Sequence, residues 1–179
     1  MPSWCQFSAG LDNLQNTCYL NSCLQALRAI PELRTAFENF SPAGGGGMGD
    51  GMAPVAAAMK GLFQQMTAGG DSVTPFMFVN IFRQTFPQFA EQRQNVYTQQ
   101  DADECWNTLA QILKSQLAQP DGGNTYDALF QGEMRNTLTC VENPEDVTVT
   151  SEPFWKMPCF VDKEVCVTHS PSAPAVSLL

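Results

Sequence analysis

The spacing of apolar side chains changes once along the chain, and this change constrains the fold class. In the first 131 residues, apolar side chains recur every three to four positions, as on one face of a helix. From Met134 to Cys140 they alternate with polar side chains, as in a strand. The sequence therefore predicts an α+β fold with a helical part followed by a shorter β part. The helical stripes are Leu20, Cys23, Leu24, Leu27 and Ile30; Val55, Met59, Leu62, Phe63 and Met66; Phe76, Val79, Phe82 and Phe86; and Cys105, Leu109, Ile112, Leu113 and Leu117.

Composition divides the 179 residues into four stretches. We expect a leader at 1–9, a helical lobe at 10–131, the start of a β-rich region at 132–165 and an unstructured tail at 166–179. Residues 41–51 are rich in glycine and predict a flexible linker within the lobe. No Gly-Lys-Ser/Thr follows the glycines, so a phosphate-binding loop is disfavoured.

Helix and strand ends are marked by capping and turn residues. Pro31 restarts a helical segment that runs to Phe40, and Gly69-Gly70 ends the third helix. Thr74 is predicted to cap the fourth helix with Pro75 at its first position, and Asp101 with Glu104 resembles a capping box. In the β part, a turn at 143–146 precedes a β-prone segment at 147–150, and Pro158 interrupts a further strand predicted around 154–161.

Charge and cysteine content limit the classes of partner and site. The net charge of −9 and pI near 4.4 argue against nucleic acid and anionic membranes as partners. The seven cysteines include no Cys-x-x-Cys pair, which disfavours a structural zinc site. The chain shows neither a secretory signal nor an apolar run of about 20 residues. We expect reduced thiols and a cytoplasmic location, with the nucleus as a second compartment.

Cys18 is the candidate nucleophile, because it follows a Gly/Asn-rich turn at the first position of the first helix. Asn16 or Thr17 is the expected N-cap, and the helix dipole at this position favours thiolate over thiol. Asn13, Asn16 and Asn21 place three amides near the thiol, and amide N–H groups can stabilise an oxyanion. The alternative is that Cys18 is a small buried apolar residue, which is the commoner role of a lone cysteine.

Two segments resemble the ubiquitin-specific proteases. The run from Gly10 to Asn21, Gly-Leu-Asp-Asn-Leu-Gln-Asn-Thr-Cys-Tyr-Leu-Asn, is similar to the cysteine box of that family. Gln15 stands where the family usually has glycine, so a positive φ at this position would strain the turn. The segment Gln-Gln-Asp-Ala-Asp-Glu at 99–104 resembles the second box. Segments 31–34, 86–91 and 159–161 further resemble the proteasome-associated branch, ubiquitin carboxyl-terminal hydrolase 14 and its yeast and plant relatives.

The resemblance implies a papain-like fold with thumb, palm and fingers, of which this chain has the helical thumb and an incomplete β portion. It implies a deubiquitinating thiol protease that cleaves the peptide or isopeptide bond after the C-terminal glycine of ubiquitin. Cys18 would be the nucleophile, Asn13 with the Cys18 N–H would bind the oxyanion, and Gln100 and Asp101 would hold the ubiquitin tail. The implied partners are ubiquitin, ubiquitin conjugates and the proteasome, and no metal or organic cofactor is implied.

The resemblance also implies a catalytic histidine box, and this sequence has no matching segment. Its one histidine, His169, lacks the Gly-His-Tyr context of that box. We therefore expect a truncated chain that is inactive on its own. The alternative is a catalytically inactive fragment that binds ubiquitin or the proteasome.

Overall fold

The computed structural model describes residues 9–40, 51–117, 123–143 and 145–157. The chain divides after Phe130 into two compact units, and each is described by itself. Residues 41–50 of the predicted linker at 41–51 and the predicted tail at 166–179 lie outside the described residues, as does His169.

The first unit is helical, with two pairs of very short strands. Its helices are α1 (Cys18–Ala29), α2 (Pro31–Asn39), α3 (Met52–Ala68), α4 (Phe76–Thr85), α5 (Ala102–Gln116) and α6 (Thr125–Phe130), with a 3₁₀ turn at Pro87–Ala90. Strands β1 (Gly10–Leu11) and β2 (Ser72–Val73) pair in parallel, and β3 (Gln92–Arg93) and β4 (Val96–Tyr97) form an antiparallel hairpin.

The core of this unit lies where α3 packs against α4 and α5, and α1 packs against α5. The predicted apolar stripes of α1, α3 and α5 are buried there, apart from Ile30, which is half-buried at the end of α1. Three predicted helices, α2, α3 and α5, have the expected extents to within a few residues. This agreement follows because each stripe buries one helix face against a neighbour, which stabilises that helix more than intrinsic propensity does.

The buried face of α4 differs from the prediction. Phe76 is 59% exposed, whereas Phe78 is buried and stacks on Phe82 at a centroid distance of 5.7 Å. Phe82 also contacts the rings of Phe86 and Phe89, so this helix is joined to the 3₁₀ turn by aromatic packing. Four consecutive apolar residues open α4, and such a run does not fix which side of the helix is buried.

Of the three predicted caps, that of Asp101 is confirmed, that of Thr17 is right in position only, and that of Thr74 is wrong. Thr17 occupies the N-cap position of α1, but its side chain does not cap the helix. Helix α4 begins at Phe76 with Pro75 at the cap position, and the Thr74 hydroxyl donates to the Asp12 carboxylate instead. Asp101 caps α5, because its Oδ1 accepts from the Asp103 N–H at 2.6 Å.

The second unit is a single antiparallel hairpin of β5 (Gly132–Thr139) and β6 (Val147–Phe154). Its register runs from Gly132 opposite Phe154 to Thr139 opposite Val147. The predicted turn is confirmed, since the Asp146 N–H donates to the Asn143 carbonyl at 2.9 Å. The β-prone segment continues to Phe154 as one strand, and residues 158–161 of the predicted last strand lie outside the described residues. Among the described residues of this unit, six large apolar side chains are exposed: Met134, Leu138, Val141, Val147, Val149 and Met157.

No helix in the described parts of the chain is both long and apolar enough to cross a membrane.

Candidate active site

Cys18 is the first residue of α1, and its side chain is exposed. The turn before it is left-handed at two residues, Gln15 with φ of 54° and Asn16 with φ of 58°. Neither residue is glycine, so both bear a conformational cost. The positive φ predicted for the position of Gln15 is therefore present, and it lies three residues before the thiol. The expectation of a small buried cysteine at this position is wrong.

The three asparagines near Cys18 have different roles. Asn16 Nδ2 donates to the Tyr97 carbonyl at 2.9 Å. Asn21 Nδ2 donates to the carbonyls of Leu11 (3.3 Å) and Asp12 (3.1 Å), so it fixes β1 to α1. Both amides are therefore used within the fold, and the sequence-based expectation that all three surround the thiol as donors is wrong.

Asn13 keeps its amide donor available. Its Oδ1 accepts from the Thr17 backbone N–H at 2.9 Å, and the Thr17 hydroxyl lies 3.3 Å from the same oxygen. A backbone N–H can only donate, so this contact identifies the Oδ1 atom and directs Nδ2 elsewhere. Within the described residues, no acceptor contacts Asn13 Nδ2, and the Cys18 N–H is likewise without an acceptor. These two groups are the donors that an oxyanion at Cys18 would require.

The side chain that contacts the thiol is Gln99. Its Nε2 lies 3.6 Å from Cys18 Sγ, and both side chains are exposed. The sequence analysis singled out the next residue, Gln100, whose Nε2 donates to Thr98 Oγ1 at 2.8 Å. Extended neighbours project to opposite sides, so the Gln-Gln pair alone did not show which amide faces the thiol. Asp101 follows as the exposed cap of α5, and the roles assigned to Gln100 and Asp101 in holding a substrate stay predictions.

A second residue that sequence reasoning missed is Arg83 on α4. It is 7% exposed, and its guanidinium carbon lies 3.5 Å from the centre of the Tyr97 ring. Its Nη2 donates to the Gln15 carbonyl at 3.2 Å and lies 3.4 Å from the Leu14 carbonyl. A basic residue in the last turn of a helix is common because it interacts favourably with the helix dipole, so its position in the sequence does not indicate this contact.

The other described cysteines lack the setting of Cys18. Cys23 and Cys105 are buried between α1 and α5, and Cys23 Sγ contacts the Ala102 carbonyl at 3.5 Å. The neighbouring Cys23 thiol and burial raise the pKa of Cys105 well above its usual range, so it stays protonated. Cys140 is exposed and directly follows β5 in the second unit.

The residue after the nucleophile candidate anchors α1 in the core. The Tyr19 ring is buried and stacks on Phe89 at a centroid distance of 5.9 Å. Burial raises the pKa of the Tyr19 hydroxyl to about 12. Tyr19 is therefore a neutral packing residue at neutral pH, and the exposed thiol beside it is held by a buried neighbour.

The described residues contain no group of three or more His, Cys, Asp or Glu side chains able to hold a metal ion. They also contain no histidine, since His169 lies outside them. The site therefore presents a thiol and amide donors, and a general base for the thiol is not among the described side chains.

Known proteins are similar to this chain over most of its length. The family model described as ubiquitin carboxyl-terminal hydrolase matches residues 9–173. Ubiquitin carboxyl-terminal hydrolase 6 of Arabidopsis thaliana is 34% identical over 167 residues, which cover 91% of this chain and 34% of the relative. Ubiquitin carboxyl-terminal hydrolase 6 of Schizosaccharomyces pombe is 35% identical over 159 residues, covering 87% of this chain and 31% of the relative. The chain thus spans about a third of the length of these relatives.

A solved structure shares the fold. It is the SAGA Ubp8/Sgf11/Sus1/Sgf73 DUB module bound to ubiquitin aldehyde, which matches with a TM-score of 0.63 at 18% identity. The match covers 82% of this chain and 34% of that one. The predicted α+β, papain-like fold is confirmed. With a family model that matches most of its length and an exposed cysteine at the start of its first helix, this chain belongs to the ubiquitin carboxyl-terminal hydrolase family.

Proposed function

We propose that this chain carries the nucleophile and the oxyanion-binding groups of a deubiquitinating thiol hydrolase. The observation that carries the proposal is the exposed Cys18 thiol at the start of α1, whose own N–H and the Asn13 amide of the preceding turn have no acceptor among the described residues. The substrate class is a peptide or isopeptide bond after the C-terminal glycine of ubiquitin. Membership of the family supports this substrate.

In the proposed reaction, the Cys18 thiolate forms a bond to the carbonyl carbon of the scissile amide. The carbonyl π electrons move to oxygen, and Asn13 Nδ2 and the Cys18 N–H stabilise that oxyanion. Collapse of the intermediate breaks the C–N bond, and the amine leaves with a proton supplied by a general acid. Water then hydrolyses the thioester, which releases the ubiquitin carboxylate and restores the thiol.

Asp101 and Gln100 are proposed to hold the extended ubiquitin tail. Both follow directly after Gln99, the residue in contact with the thiol, so a tail that leads into the site passes them. The tail arginines complement the exposed Asp101 carboxylate, which keeps one oxygen beyond its capping bond to the Asp103 N–H. Gln100 is held by Thr98 and presents a carbonyl oxygen to main-chain N–H groups.

Formation of a covalent bond at Cys18 and repeated turnover of substrate make different demands on the site. A thiol nucleophile needs an adjacent base for repeated cycles, and no described side chain supplies one. We therefore propose that residues 1–179 on their own form a covalent adduct at Cys18 but do not turn over substrate.

We also propose membership of the proteasome-associated branch, with the proteasome as a partner and a cytoplasmic location, on the resemblance of segments 31–34 and 86–91.

Ubiquitin with a C-terminal electrophile, such as the propargylamide, tests the proposal without requiring turnover. We expect one adduct on Cys18, read by peptide mass spectrometry, and none on a Cys18→Ser variant. Asp101→Asn keeps the helix cap and removes the charge, so it should slow the adduct about tenfold. Asp103→Asn removes a charge two residues further along α5 and serves as the matched control. An adduct on another cysteine, or none, would refute the proposed function.

A further inference from the structure

The Arg83 side chain is buried without a carboxylate partner. Among the described residues no carboxylate pairs with it, and the surface ion pairs Arg93 with Glu91 and Lys114 with Asp127 do not involve it. Arg83 is 7% exposed, and its Nε has no hydrogen-bond partner within the described part of the chain. An unpaired buried charge is costly, so its compensation must come from the neutral groups around it.

Those groups belong to the segment that leads into Cys18, to the β3–β4 hairpin and to α1, where the Tyr19 hydroxyl interacts with the guanidinium. Arg83 Nη2 reaches the carbonyls of Leu14 and Gln15, and the guanidinium stacks on the Tyr97 ring at 3.5 Å. The β3–β4 hairpin also contacts the turn before Cys18, because the Tyr97 carbonyl accepts from Asn16 Nδ2 at 2.9 Å. Arg83 therefore contacts a left-handed turn that needs external support, since it has no glycine at Gln15 or Asn16.

The two carbonyls that Arg83 contacts have a particular place in the sequence. Leu14 and Gln15 lie four residues before Cys18 and Tyr19, and a helix extended backwards would use their carbonyls to accept the N–H groups of those residues. In this structure Arg83 holds both carbonyls, and the first bond into α1 from the turn runs from the Asn21 N–H to the Thr17 carbonyl at 2.8 Å. The Cys18 N–H, like the other N–H groups of a first helical turn, has no helical acceptor, and no described residue accepts from it.

We propose that Arg83 is a positioning residue for Cys18, which holds the Leu14–Asn16 turn so that the Cys18 N–H stays available to the oxyanion. The inference rests on the proposed function, because it assigns a support to the oxyanion-binding groups of that reaction. Arg83 contacts neither substrate nor thiol. Its effect is exerted through the backbone of the turn.

Ubiquitin aldehyde separates this role from a purely structural one. The Cys18 sulfur adds to the aldehyde carbon, and the thiol proton is transferred to the aldehyde oxygen. The oxygen of the resulting hemithioacetal occupies the oxyanion position. Unmodified ubiquitin binds the same surface without that bond. We expect Arg83→Met to weaken binding of ubiquitin aldehyde at least about tenfold and that of ubiquitin less than about twofold. Arg93→Met removes an exposed arginine that is paired only with Glu91, and it should change neither affinity.

A double-mutant cycle with Gln15 adds a second test. Glycine adopts the left-handed conformation without support, so in a Gln15→Gly background Arg83→Met should weaken ubiquitin aldehyde less than about threefold. Arg83→Lys, which keeps the charge but cannot span two carbonyls, should lie between wild type and Arg83→Met. If Arg83→Met fails to fold by circular dichroism, Tyr97→Leu, which removes the ring under the guanidinium, replaces it in the cycle.

The outcomes distinguish the two proposals. Suppose that the wild type binds both ubiquitin forms. The positioning role is then overturned, and the proposed function stands, if Arg83→Met weakens the binding of both forms equally. The same conclusion follows if Arg83→Met weakens binding of ubiquitin aldehyde by the same factor in the wild-type and Gln15→Gly backgrounds. If the wild type binds neither form, the proposed function fails and the role of Arg83 fails with it.

Discussion

Gln15→Gly should stabilise the helical unit. Gln15 has φ of 54°, and a left-handed conformation costs a residue with a side chain about 1–2 kcal/mol. Glycine makes the unfolded chain more flexible, which offsets about 0.5–1 kcal/mol of that gain. The Gln15 side chain is exposed and makes no hydrogen bond among the described residues, so no contact is lost. The free energy of unfolding should rise by about 0.5–1 kcal/mol, and the melting temperature by about 2–4 °C.

Two further glycine substitutions make this prediction specific. Asn16→Gly relieves a similar φ of 58° but removes the bond to the Tyr97 carbonyl, which contributes about 0.5–1.5 kcal/mol, so the two effects should nearly cancel and the variant should be less stable than Gln15→Gly. Gln94→Gly, at φ of 51° in the exposed β3–β4 turn, should stabilise the protein as Gln15→Gly does. Urea unfolding followed by far-ultraviolet circular dichroism measures all three. The strain argument is refuted if Gln94→Gly stabilises the protein while Gln15→Gly leaves it unchanged or less stable.

Three other predictions follow from the caps, the buried phenol and the missing base. Because burial raises the pKa of Tyr19 to about 12, the native state keeps a proton that the unfolded chain releases near pH 10. The stability from Tyr19 is therefore present below about pH 10 and lost as the pH rises towards 12. Over this range the urea midpoint of Tyr19→Phe should fall less than that of the wild type. Equal falls in the two proteins would contradict the prediction. Asp101→Ala should lower the free energy of unfolding by about 1 kcal/mol while Asp101→Asn retains it, so equal losses would exclude the capping role. Residues 1–179 should hydrolyse a fluorogenic ubiquitin amide no faster than Cys18→Ala, and turnover that disappears in Cys18→Ala would contradict this.

The long helices could be predicted because each buries one periodic face. The stripes of α1, α3 and α5 give the correct burial, and the switch in spacing near Gly132 gives the correct start of β5. The short elements could not be predicted. Strands β1 and β2 have two residues each, which is too few to show a period, and they pair over a separation of about sixty residues. The 3₁₀ turn and α6 depend in the same way on neighbours distant in sequence.

The candidate site likewise contains residues that the local sequence predicts and residues that it does not. Local sequence predicts Cys18 and Asn13, because the turn, the helix start and the amide lie within one short segment. The contact of Gln99 with the thiol and that of Arg83 with the turn each join residues about seventy to eighty positions apart. Such pairs depend on how α4 and the start of α5 pack beside α1, and periodicity does not determine that packing.

The central claim, that Cys18 is a nucleophile activated by its place at the start of α1, is tested most directly by limited alkylation with iodoacetamide. The rate at each cysteine is read by peptide mass spectrometry across a pH series. Cys140 is the internal reference, because it is also exposed but lies after a strand. The account predicts that Cys18 is alkylated first and that the buried Cys23 and Cys105 are alkylated last. Alkylation of Cys140, or of Cys5 or Cys166, as early as Cys18 at neutral pH would contradict it.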